Sequence, residues 1–94
     1  MSDSDTISQT LVTIQNKLGM HARPAMSFVD IASNYQSEVT VKKGAQSVDG
    51  KSIMQMMMLA AVRGTQLTIE AKGPDANDAI NALRDLVARN FDED

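Results

Sequence analysis

Lys17-Leu18-Gly19-Met20-His21-Ala22-Arg23-Pro24-Ala25 is where this chain passes from one kind of structure to another. Upstream, Thr10, Val12 and Ile14 alternate with Leu11 and Thr13, the period of two of a half-buried strand. Downstream, Ala25, Phe28, Val29 and Ala32 recur at i, i+3, i+4 and i+7, the apolar face of a helix. Asn16 to Met20 form the loop between them, and Gly19 lets the backbone make a close approach there. Pro24 suits a first helical turn, where its missing N–H costs nothing. It also disfavours helical geometry at Arg23, so the helix begins within Ala22 to Pro24. His21, the only histidine of the chain, therefore stands at a helix start, two residues before an arginine.

That combination suits phosphate chemistry. Free N–H groups and the positive end of a helix dipole attract anions, which makes Ala22 and Pro24 the frame of a candidate helix N-terminal anion site. The Arg23 guanidinium can grip phosphate oxygens through two donors at once. A neutral imidazole can accept a phosphoryl group covalently and release it again. The plain alternative for His21 is a surface or capping histidine, and the rest of the chain has to weigh against it.

Working outward, Val39 and Val41 alternate with Thr40 in a second strand, and Lys43-Gly44-Ala45 turns into a short third strand around Ser47-Val48. Ser52-Ile53-Met54-Gln55 fits the capping-box pattern and opens a second helix that runs through the methionines and ends at Gly64. Leu67, Ile69 and Ala71 mark a fourth strand. After the Gly73-Pro74 turn, Asp75 is an N-cap candidate, and Ala76, Ile80, Leu83 and Val87 form the stripe of a last helix. The order β-α-β-β-α-β-α predicts an α+β fold of two layers, with helices on one face of a mostly antiparallel sheet. Residues 1–6 and the acidic tail Phe91-Asp92-Glu93-Asp94 are expected to be disordered or frayed.

Composition narrows the function. The 94 residues make one domain from 1 to 94 with a modest core. Aromatic residues are 3%, so aliphatics and seven methionines must fill that core. Without cysteine and with one histidine, neither a disulfide framework nor a thiolate or histidine-built metal site is expected. A net charge of −3 without a basic, aromatic-laced patch speaks against nucleic acid. No stretch approaches the ~20 apolar residues that span a bilayer, and the acidic start is unlike a signal peptide. The reading is a cytoplasmic protein with no cofactor.

Two blocks, Lys17-Leu18-Gly19-Met20-His21-Ala22-Arg23-Pro24-Ala25 and Gly50-Lys51-Ser52-Ile53-Met54, together with the order of elements from about Thr6 to the last helix, resemble the histidine-containing phosphocarrier protein (HPr) family of the bacterial phosphoenolpyruvate-dependent phosphotransferase system. The resemblance implies an open-faced sandwich with sheet order 1-4-2-3 and three helices on one face. It implies that His21 takes a phosphoryl group on Nδ1 from enzyme I and passes it to a downstream, EIIA-type acceptor. Arg23 then matches the residue that steadies the phosphate, Pro24 the proline of the motif, and Ser52 the position at which many members are marked by HPr kinase/phosphorylase. The implied protein is a monomeric co-substrate of phosphotransferases and not a free-standing enzyme. The first block and the Phe91-Asp92-Glu93-Asp94 ending resemble the nitrogen-related carriers, whereas the second block resembles the sugar branch. A reading from another class is a non-catalytic module that controls a transcription regulator or metabolic enzyme through its phosphorylation state.

The second helix carries its own question. Its sheet-facing stripe can be supplied by Ile53, Met56, Met57 and Ala60, leaving Met54 and Met58 together on another face. Methionine fills irregular core space well, yet it also makes adaptable docking surfaces. Met20, Met26, Ile53, Met54, Met57 and Met58 are therefore the candidate partner-docking residues. Ser52 is explained by its N-cap role alone, but a phosphate there would place about two negative charges inside the same surface.

Overall fold

The computed structural model describes residues 6–93; the expected disorder of residues 1–5 and Asp94 lies outside them. The elements are β1 (Ile7–Thr13), α1 (Ala22–Ala32), β2 (Glu38–Lys43), β3 (Gln46–Asp49), α2 (Ile53–Met58), β4 (Gln66–Lys72), α3 (Ala76–Ala88) and a 3₁₀ turn, Asn90–Asp92. The strands form one sheet in the order β1-β4-β2-β3. Every neighbouring pair is antiparallel, with Ile69 opposite both Thr10 and Val41, and Val41 opposite Val48.

Alternation in the sequence puts one apolar row on the helix side of this sheet. Val39, Val41, Leu67, Ile69 and Ala71 are buried there, while Ile7 and Leu11 of the edge strand stay exposed. From above, α1 contributes Ala25, Phe28, Val29 and Ala32, and α3 contributes Ala76, Ala79, Ile80, Leu83, Leu86 and Val87. These stripes contain every apolar position that the helical spacing selected. They form one continuous core with Phe28 as its bulkiest fully buried side chain.

Four expectations are corrected. First, α2 is a single short helix and stops at Met58, well before Gly64. Its exit is a left-handed residue, Ala60 at φ +50°, and the last carbonyls find partners outside the helix: Lys43 Nζ donates to Leu59 O at 2.8 Å and Gln46 Nε2 to Met58 O at 3.4 Å. The buried stripe accordingly consists of Met56, Leu59 and Ala61, while Ile53, Met57 and Ala60 are exposed. Second, the capping box is half-formed. Ser52 Oγ accepts from the Gln55 N–H at 3.2 Å, but Gln55 Oε1 accepts from the Asp49 N–H, bracing the hairpin instead of the Ser52 backbone.

Third, Asp75 holds the N-cap position of α3, its carbonyl accepting from the Ala79 N–H at 3.0 Å, but its side chain does not cap the helix. Its carboxylate accepts from Ser37 Oγ at 2.6 Å and from the N–H groups of Ser37 and Gln36, both at 2.9 Å. The Ser37 hydroxyl and these N–H groups hold the Asp75 carboxyl below its ordinary pKa. Fourth, the tail is not frayed as far as it is described. Phe91 is buried in the core, and Asn90, Phe91 and Asp92 all take positive φ, between 56° and 60°. That left-handed turn folds the chain end back, and Arg89 Nε donates to Asp92 Oδ1 at 2.9 Å across it. At the other end Thr6 O accepts from the Gly73 N–H at 2.9 Å.

Candidate functional site

His21 is the N-cap residue of α1, in extended backbone geometry. Its carbonyl accepts the first helical bond, from the Ala25 N–H at 3.0 Å, and its own N–H donates to Gly19 O at 3.1 Å. The Ala22 and Arg23 N–H groups, first in the helix, have no acceptor within it, so they are left unpaired by the helix at this end. Pro24 supplies none: it has no N–H and is buried, fixing the first turn in place. Its role as part of the anion frame is corrected to that of a support.

The loop that presents His21 is tied down by main chain. The Met20 N–H donates to Ala61 O at 2.7 Å, the Ile14 N–H to Thr65 O at 2.9 Å, and the Gly64 N–H to Ile14 O at 2.7 Å. Gly19 sits at φ +71° against the Ala61 carbonyl, and a Cβ there would overlap that oxygen. Only glycine meets both demands without strain. Met20 is 6% exposed and belongs to the core, so it is withdrawn from the docking set.

Around the imidazole lies an open cleft of about 510 Å³, lined by Asn16, Lys17, Leu18, His21, Arg23, Asp92 and Glu93. Two cations, Lys17 and Arg23, thus share the cleft with two carboxylates. Glu93 Oε2 stands 3.3 Å from His21 Nε2. The approach is off the direction of a hydrogen bond, and Nε2 is buried with no hydrogen-bond partner, so the contact is electrostatic. The side chain as a whole remains 34% exposed, through atoms other than Nε2. Glu93 is itself held by Asn16, whose Nδ2 donates to Gly19 O at 2.8 Å and to Glu93 Oε1 at 3.2 Å.

The structure therefore brings His21, Ala22 and Arg23 together, as the sequence motif requires. Sequence reasoning missed Asn16, Lys17 and Glu93. Phe91 offered the one usable signal for the tail: it continues the Leu83, Val87 spacing by four residues, and burying it draws Glu93 to His21. Ser52 is a half-exposed N-cap on α2. Met54 and Met58 are 77% and 67% exposed, and Met26, Ile53 and Met57 are also exposed. Met56, by contrast, is fully buried.

The chain is similar to known proteins over most of its length. The family model described as "PTS HPr component phosphorylation site" matches residues 8–89. The chain is 49% identical over 83 residues to phosphocarrier protein HPr of Pseudomonas aeruginosa, covering 87% of this chain and 92% of that protein. It is 42% identical over 90 residues to phosphocarrier protein NPr of Klebsiella oxytoca, covering 95% and 99%. Among solved structures, HPr from Thermoanaerobacter tengcongensis superposes with a TM-score of 0.89 at 40% identity, covering 93% of this chain and 98% of that one.

Proposed function

Since the chain belongs to the HPr family of phosphocarriers of the phosphotransferase system, we propose that His21 is the residue that carries the phosphoryl group. Family membership makes enzyme I and EIIA-type components its partners. The observation that carries the assignment is the placement of the sole histidine, partly exposed at the α1 N-terminus, in one cleft with Arg23 and Lys17. The Nδ1 lone pair attacks the phosphorus held by charged enzyme I. The new P–N bond forms as the donor's bond to phosphorus breaks, and the reverse geometry hands the group to the acceptor. Arg23 and the free N–H groups of Ala22 and Arg23 steady the phosphate oxygens while leaving the group accessible to the next protein. Positioning and charge supply what phosphoryl transfer needs.

In this reading Met26, Ile53, Met54, Met57 and Met58 form the adaptable apolar surface on which enzyme I and the acceptors dock in turn. Ser52, at the head of that surface, is the regulatory site for HPr kinase/phosphorylase, where added negative charge hinders docking without melting α2. The carrier acts as a monomer in the cytoplasm; no helix among the described residues is long and apolar enough to cross a membrane. Incubation with enzyme I and phosphoenolpyruvate should add one acid-labile, base-stable phosphate. His21→Ala should abolish it with folding unchanged, and labelling that persists in this variant refutes the assignment.

A further inference from the structure

A histidine has two ring nitrogens, and the surroundings of His21 treat them differently. Nε2 is buried beneath Glu93, whose Oε2 lies 3.3 Å away. Glu93 is not loosely placed: Asn16, 3% exposed, donates from Nδ2 to the other carboxylate oxygen while the same nitrogen holds Gly19 O. Phe91, buried two residues earlier, anchors the turn that brings Glu93 there. We propose that Glu93 is a positioning residue that selects the reacting nitrogen of His21. It shields Nε2 and leaves Nδ1 as the nucleophile.

Two effects act together. Coverage removes the space that an incoming tetrahedral phosphorus needs at Nε2. Charge adds to it, because a carboxylate repels both the Nε2 lone pair and the oxygens of a phosphoryl donor, and its field favours the tautomer with the proton on Nε2. With the proton on Nε2 the lone pair resides on Nδ1. The other charged groups of the cleft are Lys17, Arg23 and Asp92, the last engaged by Arg89. Lys17 and Arg23 draw the donor into the cleft but do not distinguish the nitrogens, whereas Glu93 touches one of them.

This inference rests on His21 being the phosphorylated residue, and its test does not use enzyme I. The full chain is treated with phosphoramidate: a ring nitrogen attacks phosphorus, the P–N bond to the amine breaks, and ammonia leaves with a proton. Phosphorus and nitrogen-15 NMR of the single histidine distinguish Nδ1 from Nε2 adducts. Wild type should give the Nδ1 adduct in excess. Glu93→Ala should move the Nδ1:Nε2 ratio toward Nε2 by roughly tenfold, the size of a unit-charge interaction at this separation in a water-like dielectric. Glu93→Gln, nearly isosteric, should fall between the two. A ratio unchanged in Glu93→Ala, or a wild type that reacts at Nε2, overturns the proposal. If the ratio shifts while enzyme I fails to label His21, the carrier assignment falls and the selection of nitrogen stands.

Discussion

Truncating Met56 to alanine separates the structural methionine of α2 from its exposed neighbours. The helix has only six residues, too few to persist in water without tertiary support. Met56 is completely buried, and within the helix it alone reaches the core. Removing a buried methionine side chain costs about 2–5 kcal/mol in lost transfer energy and residual cavity. A domain of this size loses about 4–8 °C of Tm per kcal/mol, so Met56→Ala should lower Tm by about 8 °C or more. Met54→Ala and Met58→Ala remove side chains that are mostly in water, and each should stay within about 0.5 kcal/mol of wild type. Thermal melts by circular dichroism, paired with urea titrations to confirm an unchanged m-value, read all three. Equal losses at Met54 and Met56, or a Met56→Ala variant as stable as wild type, would refute the division of this helix into one core face and one exposed face.

Changing Met54 and Met58 together to serine should weaken binding to enzyme I in titration calorimetry while leaving the melt near wild type; undiminished affinity would place docking elsewhere. Gly19→Ala should cost at least about 1–2 kcal/mol from the left-handed backbone alone, with the overlap on Ala61 O adding to it, and an unperturbed urea midpoint would contradict that contact. Arg23→Lys keeps the charge but loses the two-pronged grip, so single-turnover phosphoryl transfer should slow at constant Tm. Asp75 has a depressed folded pKa, so its contribution is present above the ordinary aspartate value of about 3.9 and is lost as pH falls through the lower folded value. Asp75→Asn should therefore flatten the acid limb of stability below about pH 4, and parallel curves for variant and wild type would exclude the Ser37 contact as a source of stability.

How much was legible in advance follows physical lines. Strands and the two long helices were readable because burial imposes a period on many residues at once: Val39 and Val41 or Ile80, Leu83 and Val87 each repeat one demand. The His21 motif was readable because a helix start, a proline and a glycine constrain the backbone locally. The extent of α2 was not, since an all-apolar run carries no period and the stop at Ala60 depends on Lys43 and on the Ala61 contact with the loop. Asp75 misled because a carboxylate before a helix usually caps it, and here Ser37 competes successfully for it. Glu93 was invisible because three left-handed, non-glycine residues bring it to His21, a path no local preference encourages.

The cords between the His21 loop and the stretch after α2 are made of peptide groups: Met20 N–H to Ala61 O, Ile14 N–H to Thr65 O, Gly64 N–H to Ile14 O. Peptide groups are the same whatever side chain they carry. The exposed side chains of Val62 and Arg63, between those cords, can therefore vary among descendants of this chain without shifting the histidine they surround. Substitutions there can redraw this rim one at a time while His21 keeps its place. What such a lineage cannot relinquish is the bare Cα of Gly19, where the tether requires that there be no side chain.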